Sequence, residues 1–325
     1  MAALPEAPVP TIPNDAGPWN LARLVTRPAA DPEQRLQWLG ALLCLGLFAL
    51  MFWDSLAHFY HAWTTDENYS HGFLVPLISL CFANRVARRG LIPIRGGAWL
   101  GGSMLLFALA VRLLTTEMPI PFVAALAFLV GLAGVFTLLY GTSALKCYGF
   151  AFFFLVFMVP LPVELYSKIA SPLQLLASRV ASSVMNATGV PVLCEGNKMT
   201  LPGGVQMFVA EACSGMRQLT GFLALTTAVV YVWSRPWWYR VAIVFSALPI
   251  ALSANIARVV LTGYIMHFLT PQYASGPFHT IEGLLMMGFG LLMLNCECWI
   301  LDRISRWIDA KTATQPARAV PLGYS

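Results

Sequence analysis

FVAALAFLVGLAGVFTLLY, residues 122–140, is a run of nineteen residues without a single charge. As a helix rising 1.5 Å per residue it is about 28 Å long, close to the roughly 30 Å of hydrocarbon in a bilayer. A buried helix of a soluble protein rarely needs that length without a polar face. The rest of the chain repeats the pattern. It has 325 residues, of which 58% are hydrophobic and 11% charged, with a mean hydropathy of +0.68. Soluble domains carry about 25% charged residues, so the main solvent of this chain is lipid.

Eight apolar stretches read as spans: Leu36–Leu56, Gly72–Ala87, Ala98–Leu114, Phe122–Tyr140, Cys147–Leu161, Gly215–Trp233, Val241–Met266 and Thr280–Leu301. Basic residues collect in alternate connections: Arg23, Arg27 and Arg35; Arg85, Arg88, Arg89 and Arg95; Lys146; Arg235 and Arg240; then Arg303, Arg306, Lys311 and Arg318. Short cytoplasmic loops hold such residues, so both termini are expected in the cytoplasm. The net charge of +5 follows from this asymmetry and gives no reason to expect nucleic acid. Residues 1–35, rich in Pro and Ala, read as a disordered cytoplasmic tail and 303–325 as a cytoplasmic C-terminal tail, disordered after Ala313. Residues 36–302 form the membrane domain.

Between Pro162 and Ala212 lies the one sizeable connection, expected on the outer face. Leu165, Ile169, Leu173, Leu176, Val180 and Val184 recur at helical spacing, while Lys168, Gln174 and Ser182 take other faces. This is an amphipathic surface helix with Pro172 inside it. The segment VPVLCEGNKMTLPGGVQMFVA, residues 190–210, carries turn signals at Gly196-Asn197 and Pro202-Gly203-Gly204, so a small β-hairpin is expected. The expected fold is thus all-α and multipass, with about eight transmembrane helices, an outer amphipathic helix and a hairpin.

The hairpin runs into EACSGMR, residues 211–217. Cys213 falls at the first turn of the sixth span, where free N–H groups and the helix dipole favour a thiolate and can hold a developing oxyanion. Arg217 follows four residues on, and Glu211 precedes it. In the seventh span Asn255 and Arg258 share a face three residues apart. A guanidinium in the outer half of a bilayer is costly, so Arg258 either packs against a carboxylate or serves chemistry. The eighth span opens with His279, then Glu282 and Gly283. Thiol, guanidinium and imidazole therefore come to one leaflet from three separate spans.

E-A-C-S-G at Glu211–Gly215, N-x-x-R at Asn255–Arg258 and H-x-x-x-G at His279–Gly283 resemble the three signature motifs of the exosortases, membrane cysteine transpeptidases related to the archaeosortases. YSHGFLVPLI, residues 69–78, resembles a further segment of that family. The resemblance implies that Cys213, Arg258 and His279 are catalytic, without cofactor or metal. Cys213 is the nucleophile that forms an acyl-thioester. His279 acts as a base or donates to the oxyanion. Archaeal relatives tend to carry arginine at that place, which favours donation. Glu211, Arg217, Asn255 and Glu282 support the site, and Tyr69 and His71 border the substrate cleft. The implied partners are exported proteins ending in a Pro-Glu-Pro motif, a membrane helix and a basic cluster. A surface acceptor, of the exopolysaccharide kind, would resolve the thioester, at the periplasmic face of a bacterial inner membrane.

Two other readings compete. An intramembrane cysteine protease would let water resolve the thioester. A transporter would place its charges near the bilayer centre and show internal repeats, and no repeat is visible here. Cys194 reads as a packing residue, because a disulfide with Cys213 would disable the nucleophile. His58, His61 and His71 with Asp66 and Glu67 have irregular spacing for a metal site. Arg112 either snorkels or meets a substrate carboxylate.

Overall fold

The computed structural model describes residues 32–89, 96–118, 120–209, 216–269 and 277–313. The chain divides into two compact units, Met1–Pro162 and Val163–Ser325. Of the expected tails, residues up to 31 and from 314 lie outside the described residues, while 32–35 and 303–313 belong to helices.

The first unit is helical. It comprises α1 (Pro32–Met51), α2 (Trp53–Thr65), a 3-10 segment (Glu67–Phe73), α3 (Leu74–Ala87), α4 (Ala98–Glu117), α5 (Pro121–Phe154) and a second 3-10 segment (Leu155–Met158). Runs of Leu, Ala and Phe make these helices, since in an apolar medium a helix satisfies its own backbone. Phe48, Phe52, Phe59 and Phe128 form an aromatic core, with neighbouring rings 4.8–5.8 Å apart.

Two breaks shape this unit. Between α1 and α2 the chain bends by 65°. The Met51 carbonyl freed there accepts a hydrogen bond of 3.0 Å from Arg112 Nε, and Arg112 also pairs with Asp54. The second break is at Gly141, whose φ of 84° and ψ of 170° interrupt α5. The chain folds back there. Phe136 and Phe152 have ring centroids 5.0 Å apart, whereas sixteen residues of straight helix would separate them by about 24 Å. The Thr142 N–H released by the reversal donates to Gly96 O at 2.9 Å.

The second unit comprises α6 (Val163–Ala187), strands β1 (Leu193–Glu195), β2 (Lys198–Thr200) and β3 (Gln206–Phe208), then α7 (Met216–Val232), α8 (Trp237–Phe268) and α9 (Pro277–Ala313). The strands form one antiparallel sheet in the order β1-β2-β3. Gly196 has a φ of 65° at the first central position of the two-residue turn joining β1 and β2, a place suited to glycine. The expected hairpin is therefore a three-stranded sheet. Its second turn, at Pro202–Gly204, brings β3 back alongside β2.

The amphipathic helix is present as α6, with Pro172 inside it. Its large apolar side chains face outward: Leu165, Ile169, Leu176 and Val184 are 36–44% exposed. The face turned inward is made mostly of small and polar residues, Ala170, Gln174, Ala177, Ser178, Ala181 and Ser182, with Met185 at its end. Ser178 Oγ donates to Gly196 O at 2.8 Å, and Asn197 Nδ2 donates to Gln174 Oε1 at 3.2 Å, tying helix to sheet. Ala177, Ala181 and Met185 of α6, Met199 and Met207 of the sheet, and Val259 of α8 share one core. A second core joins α7, α8 and α9 through Phe222, Tyr239, Ile243, Ile250 and Leu294.

The protein is a multipass membrane protein, but the eight expected spans are not obtained. Among the described residues four helical stretches are long and apolar enough to cross a bilayer, or five if the bent α1–α2 pair counts as one. One of the four, Pro121–Met158, is the stretch folded back at Gly141. The expected second and sixth spans are only 14 and 17 residues long as α3 and α7, which is about 21 and 26 Å of helix. At the end of α9 the helix continues to Ala313, where Arg303 lies over the Trp299 ring and Lys311 over Trp307.

The backbone of Gly141 lies in a region almost closed to residues with a Cβ. Gly141→Ala is expected to cost about 1–3 kcal/mol. Thermal unfolding of the purified protein in detergent measures this, with Gly149→Ala, a change in regular helix, as the comparison with little or no loss.

Candidate active site

Helix α8 carries the best-defined part of the site. Asn255, Arg258 and Thr262 stand at i, i+3 and i+7, so they line one face, and all three are buried. Arg258 is 6% exposed, Asn255 2% and Thr262 1%. Pro249 lies six residues before Asn255, inside the helix. The adjacent Val259 is fully buried in the core shared by α6 and the sheet. Packing of that neighbour fixes the rotation of α8 and hence the direction of the Arg258 face.

Glu282 of α9 meets this face. It is 2% exposed, and Thr262 Oγ1 donates to its Oε2 at 3.2 Å. Arg258 is close enough for its charge to interact with the Glu282 carboxylate. A buried guanidinium beside a buried carboxylate offsets part of the cost of removing both from water. Among the described residues Asn255 Oδ1 and Glu282 Oε1 are buried without a hydrogen-bond partner, and so is Gln218 Oε1 in the first turns of α7. Buried acceptors of this kind are uncommon and are matched by donors such as a peptide N–H or a water.

Of the nine residues expected at the site, the structure thus brings together Arg258 and Glu282 on α8 and α9, with Asn255 on the same face as Arg258. Arg217 lies in the first turn of α7 and is half-buried. Cys213 and Glu211 lie outside the described residues. His279 falls in the first turn of α9, one turn before Glu282. Thr262 and Gln218 were not anticipated. Their signal was available in the sequence: Thr262 continues the spacing of Asn255 and Arg258, and Gln218 is an amide inside an apolar run.

Tyr69 and His71 belong to the first unit, where they secure the 3-10 segment. The Leu161 N–H donates to Tyr69 Oη at 3.1 Å, His71 Nε2 lies 3.2 Å from Phe157 O, and Trp63 Nε1 donates to Met158 O at 3.0 Å. Gly72 sits directly against the Trp63 ring, with no room for a Cβ. The Y-S-H-G-F segment thus fastens α2 and α3 to the end of the α5 hairpin. Cys194 is a free, half-buried thiol packed on the core of the second unit. Asp66 caps the 3-10 segment by accepting from the Asn68 N–H at 2.8 Å.

Burial holds the His71 imidazole below the usual histidine range, with backbone hydrogen bonds involving Phe157 and Asn68 acting the other way. An unfolded histidine titrates near 6.5. Below that value the unfolded chain binds the extra proton first, so stability falls as pH falls and is complete above it. His71→Gln keeps a hydrogen-bonding group that does not titrate. Melting temperatures measured from pH 8 to pH 5 should drop more steeply for wild type than for His71→Gln, and parallel curves would exclude this role for His71.

A family profile described as transmembrane exosortase matches residues 63–296. No curated protein and no solved structure gives a match to the chain. The matched stretch covers well over half of the sequence. It contains the Arg258–Thr262–Glu282 arrangement together with positions 211–217 and His279. The chain belongs to the transmembrane exosortase family.

Proposed function

We propose that the protein is a membrane-embedded cysteine transpeptidase that cleaves C-terminal sorting signals of exported proteins. Cys213 attacks the peptide carbonyl near a Pro-Glu-Pro motif, the amine leaves with a proton, and an acyl-thioester remains. A nucleophile on a surface acceptor, of the exopolysaccharide kind, then displaces the thiolate. The protein would sit in a bacterial inner membrane with both termini cytoplasmic and this site on the periplasmic side.

The observation that carries the reading is the buried Arg258, held on one face of α8 between Asn255 and Thr262 with Glu282 opposite. A guanidinium so placed is a fixed donor set in a low-dielectric site, suited to a thiolate or an oxyanion. Glu282, held by Thr262, brings opposite charge to it. Asn255 Oδ1, without a partner among the described residues, is suited to accept from a substrate N–H. The transporter reading gains nothing from this arrangement, because the polar groups converge on one helix face near one end rather than on broken helices.

The roles separate by substitution. Cys213→Ala should abolish processing of a tagged sorting-signal substrate while leaving the protein in the membrane at normal abundance. Arg258→Lys should lose most activity, because lysine lacks the planar fork of donors. If His279 donates to the oxyanion, His279→Arg keeps measurable turnover and His279→Ala loses about 10²–10³-fold in kcat. If His279 is the base, both variants are equally inactive, because guanidinium does not give up its proton. We expect the first pattern. Unimpaired processing by Cys213→Ala would end the reading.

A further inference from the structure

The register of the sheet leaves the outer edge of β3 open, and that edge leads into the candidate nucleophile. Leu201 N–H donates to Val205 O at 2.8 Å, and Val209 N–H donates to Asn197 O at 2.9 Å. Met207 pairs with Met199 between them. In an antiparallel ladder alternate residues turn both backbone groups to the same neighbour. Val205, Met207 and Val209 therefore bond toward β2. The N–H and C=O groups of Gln206 and Phe208 point away from it. Among the described residues nothing hydrogen-bonds to these four groups.

The open edge is held rigidly. Met207 is 3% exposed and Val209 fully buried in the core that also holds Val259, the neighbour of Arg258. By contrast Gln206 is exposed and Phe208 is 45% exposed, so the outward face of β3 is accessible. Cys213 follows Phe208 by five positions, which limits their distance to about 18 Å in any conformation. A strand with unpaired polar groups is normally blunted by Pro, Lys or a bulge. β3 has none of these.

We propose that the edge of β3 is the binding site for the substrate, taken as an extended peptide that adds to the sheet as a fourth strand. This rests on the transpeptidase reading above and names how its substrate is held. Backbone hydrogen bonds from Gln206 and Phe208 supply the affinity and orientation. Their exposed side chains meet every second residue of the added strand. A peptide with prolines at alternate positions suits such an edge. Both missing N–H groups fall on its far side, and the residue between them presents N–H and C=O to β3.

Proline scanning tests this, since proline at an edge residue removes only the outward N–H. The full chain in lipid nanodiscs is given a synthetic peptide with Pro-Glu-Pro, an apolar helix and a basic cluster. Gln206→Pro and Phe208→Pro should keep the melting temperature of Gln206→Ala and Phe208→Ala, yet raise KM about 3–10-fold above them, as for one lost hydrogen bond. Met207→Pro, which breaks the β2 ladder, should instead lower the melting temperature. Wild-type KM in the two edge variants would overturn the proposal. Should an edge variant fail to fold, benzoylphenylalanine in place of Phe208, in the Cys213→Ala background, decides by photo-crosslinking. An adduct with the peptide supports the edge as its site. An adduct with a second copy of the chain, or none, overturns it. Absence of processing by wild type together with a peptide adduct would sink the transpeptidase reading alone.

Discussion

In an apolar solvent no backbone N–H or C=O can be left to water, and this constraint organises the molecule. Regular helix satisfies it without help. Each irregularity must be repaired by something else, and the repairs are visible. Arg112 serves the Met51 carbonyl at the α1–α2 bend, and Trp63 and His71 reach the carbonyls of Met158 and Phe157. Tyr69 takes the Leu161 N–H, and Asn186 bonds both the N–H and the C=O of Val192. Even the reversal at Gly141 hands its N–H to Gly96. The free edge of β3 departs from this pattern within the described residues, and it lies just upstream of the cysteine.

The site applies the same economy to charge. A guanidinium 6% exposed in a membrane helix stands to lose several kcal/mol of hydration. Asn255 and Thr262 share its face, and Glu282 brings opposite charge from α9. The rotation of α8 that aims these groups is set by Val259 and its core, built from α6 and the sheet. Thus the amphipathic helix and the small sheet serve α8 mechanically as well as forming a surface. Leu165, Ile169, Leu176 and Val184 of α6 stay outward, while its alanines and serines allow the close approach that this packing requires.

Much of this was legible in the residues. The unbroken apolar run at 122–140 and the scarcity of charge dictate a membrane protein, because no other solvent would accept them. Pro and Gly signals mark the turns of the sheet. The 3.6-residue period puts Asn255 with Arg258 on one side of a helix before any fold is known. The span count was less legible. Hydropathy measures how apolar a stretch is, and the expected second span passes that measure although α3 is a helix of only 14 residues. The burial of Gln174 and Ser182 was also hidden, since polarity suggests a wet face unless the partner is known. Here the partners are Asn197 and the packed face of α6.

The sequence by itself determined the solvent, the helical class, the turn positions and the residues able to carry thiol and guanidinium chemistry. These are properties of local composition and of helical and strand periods. Only the tertiary structure decided that Glu282 and Thr262 meet across α8 and α9, that Tyr69 and His71 fasten a 3-10 segment, and that β3 has one free edge. Each of these is a pairing between residues distant in the chain or a choice of register. Such choices depend on which buried side chains fit together, and local sequence does not carry that information.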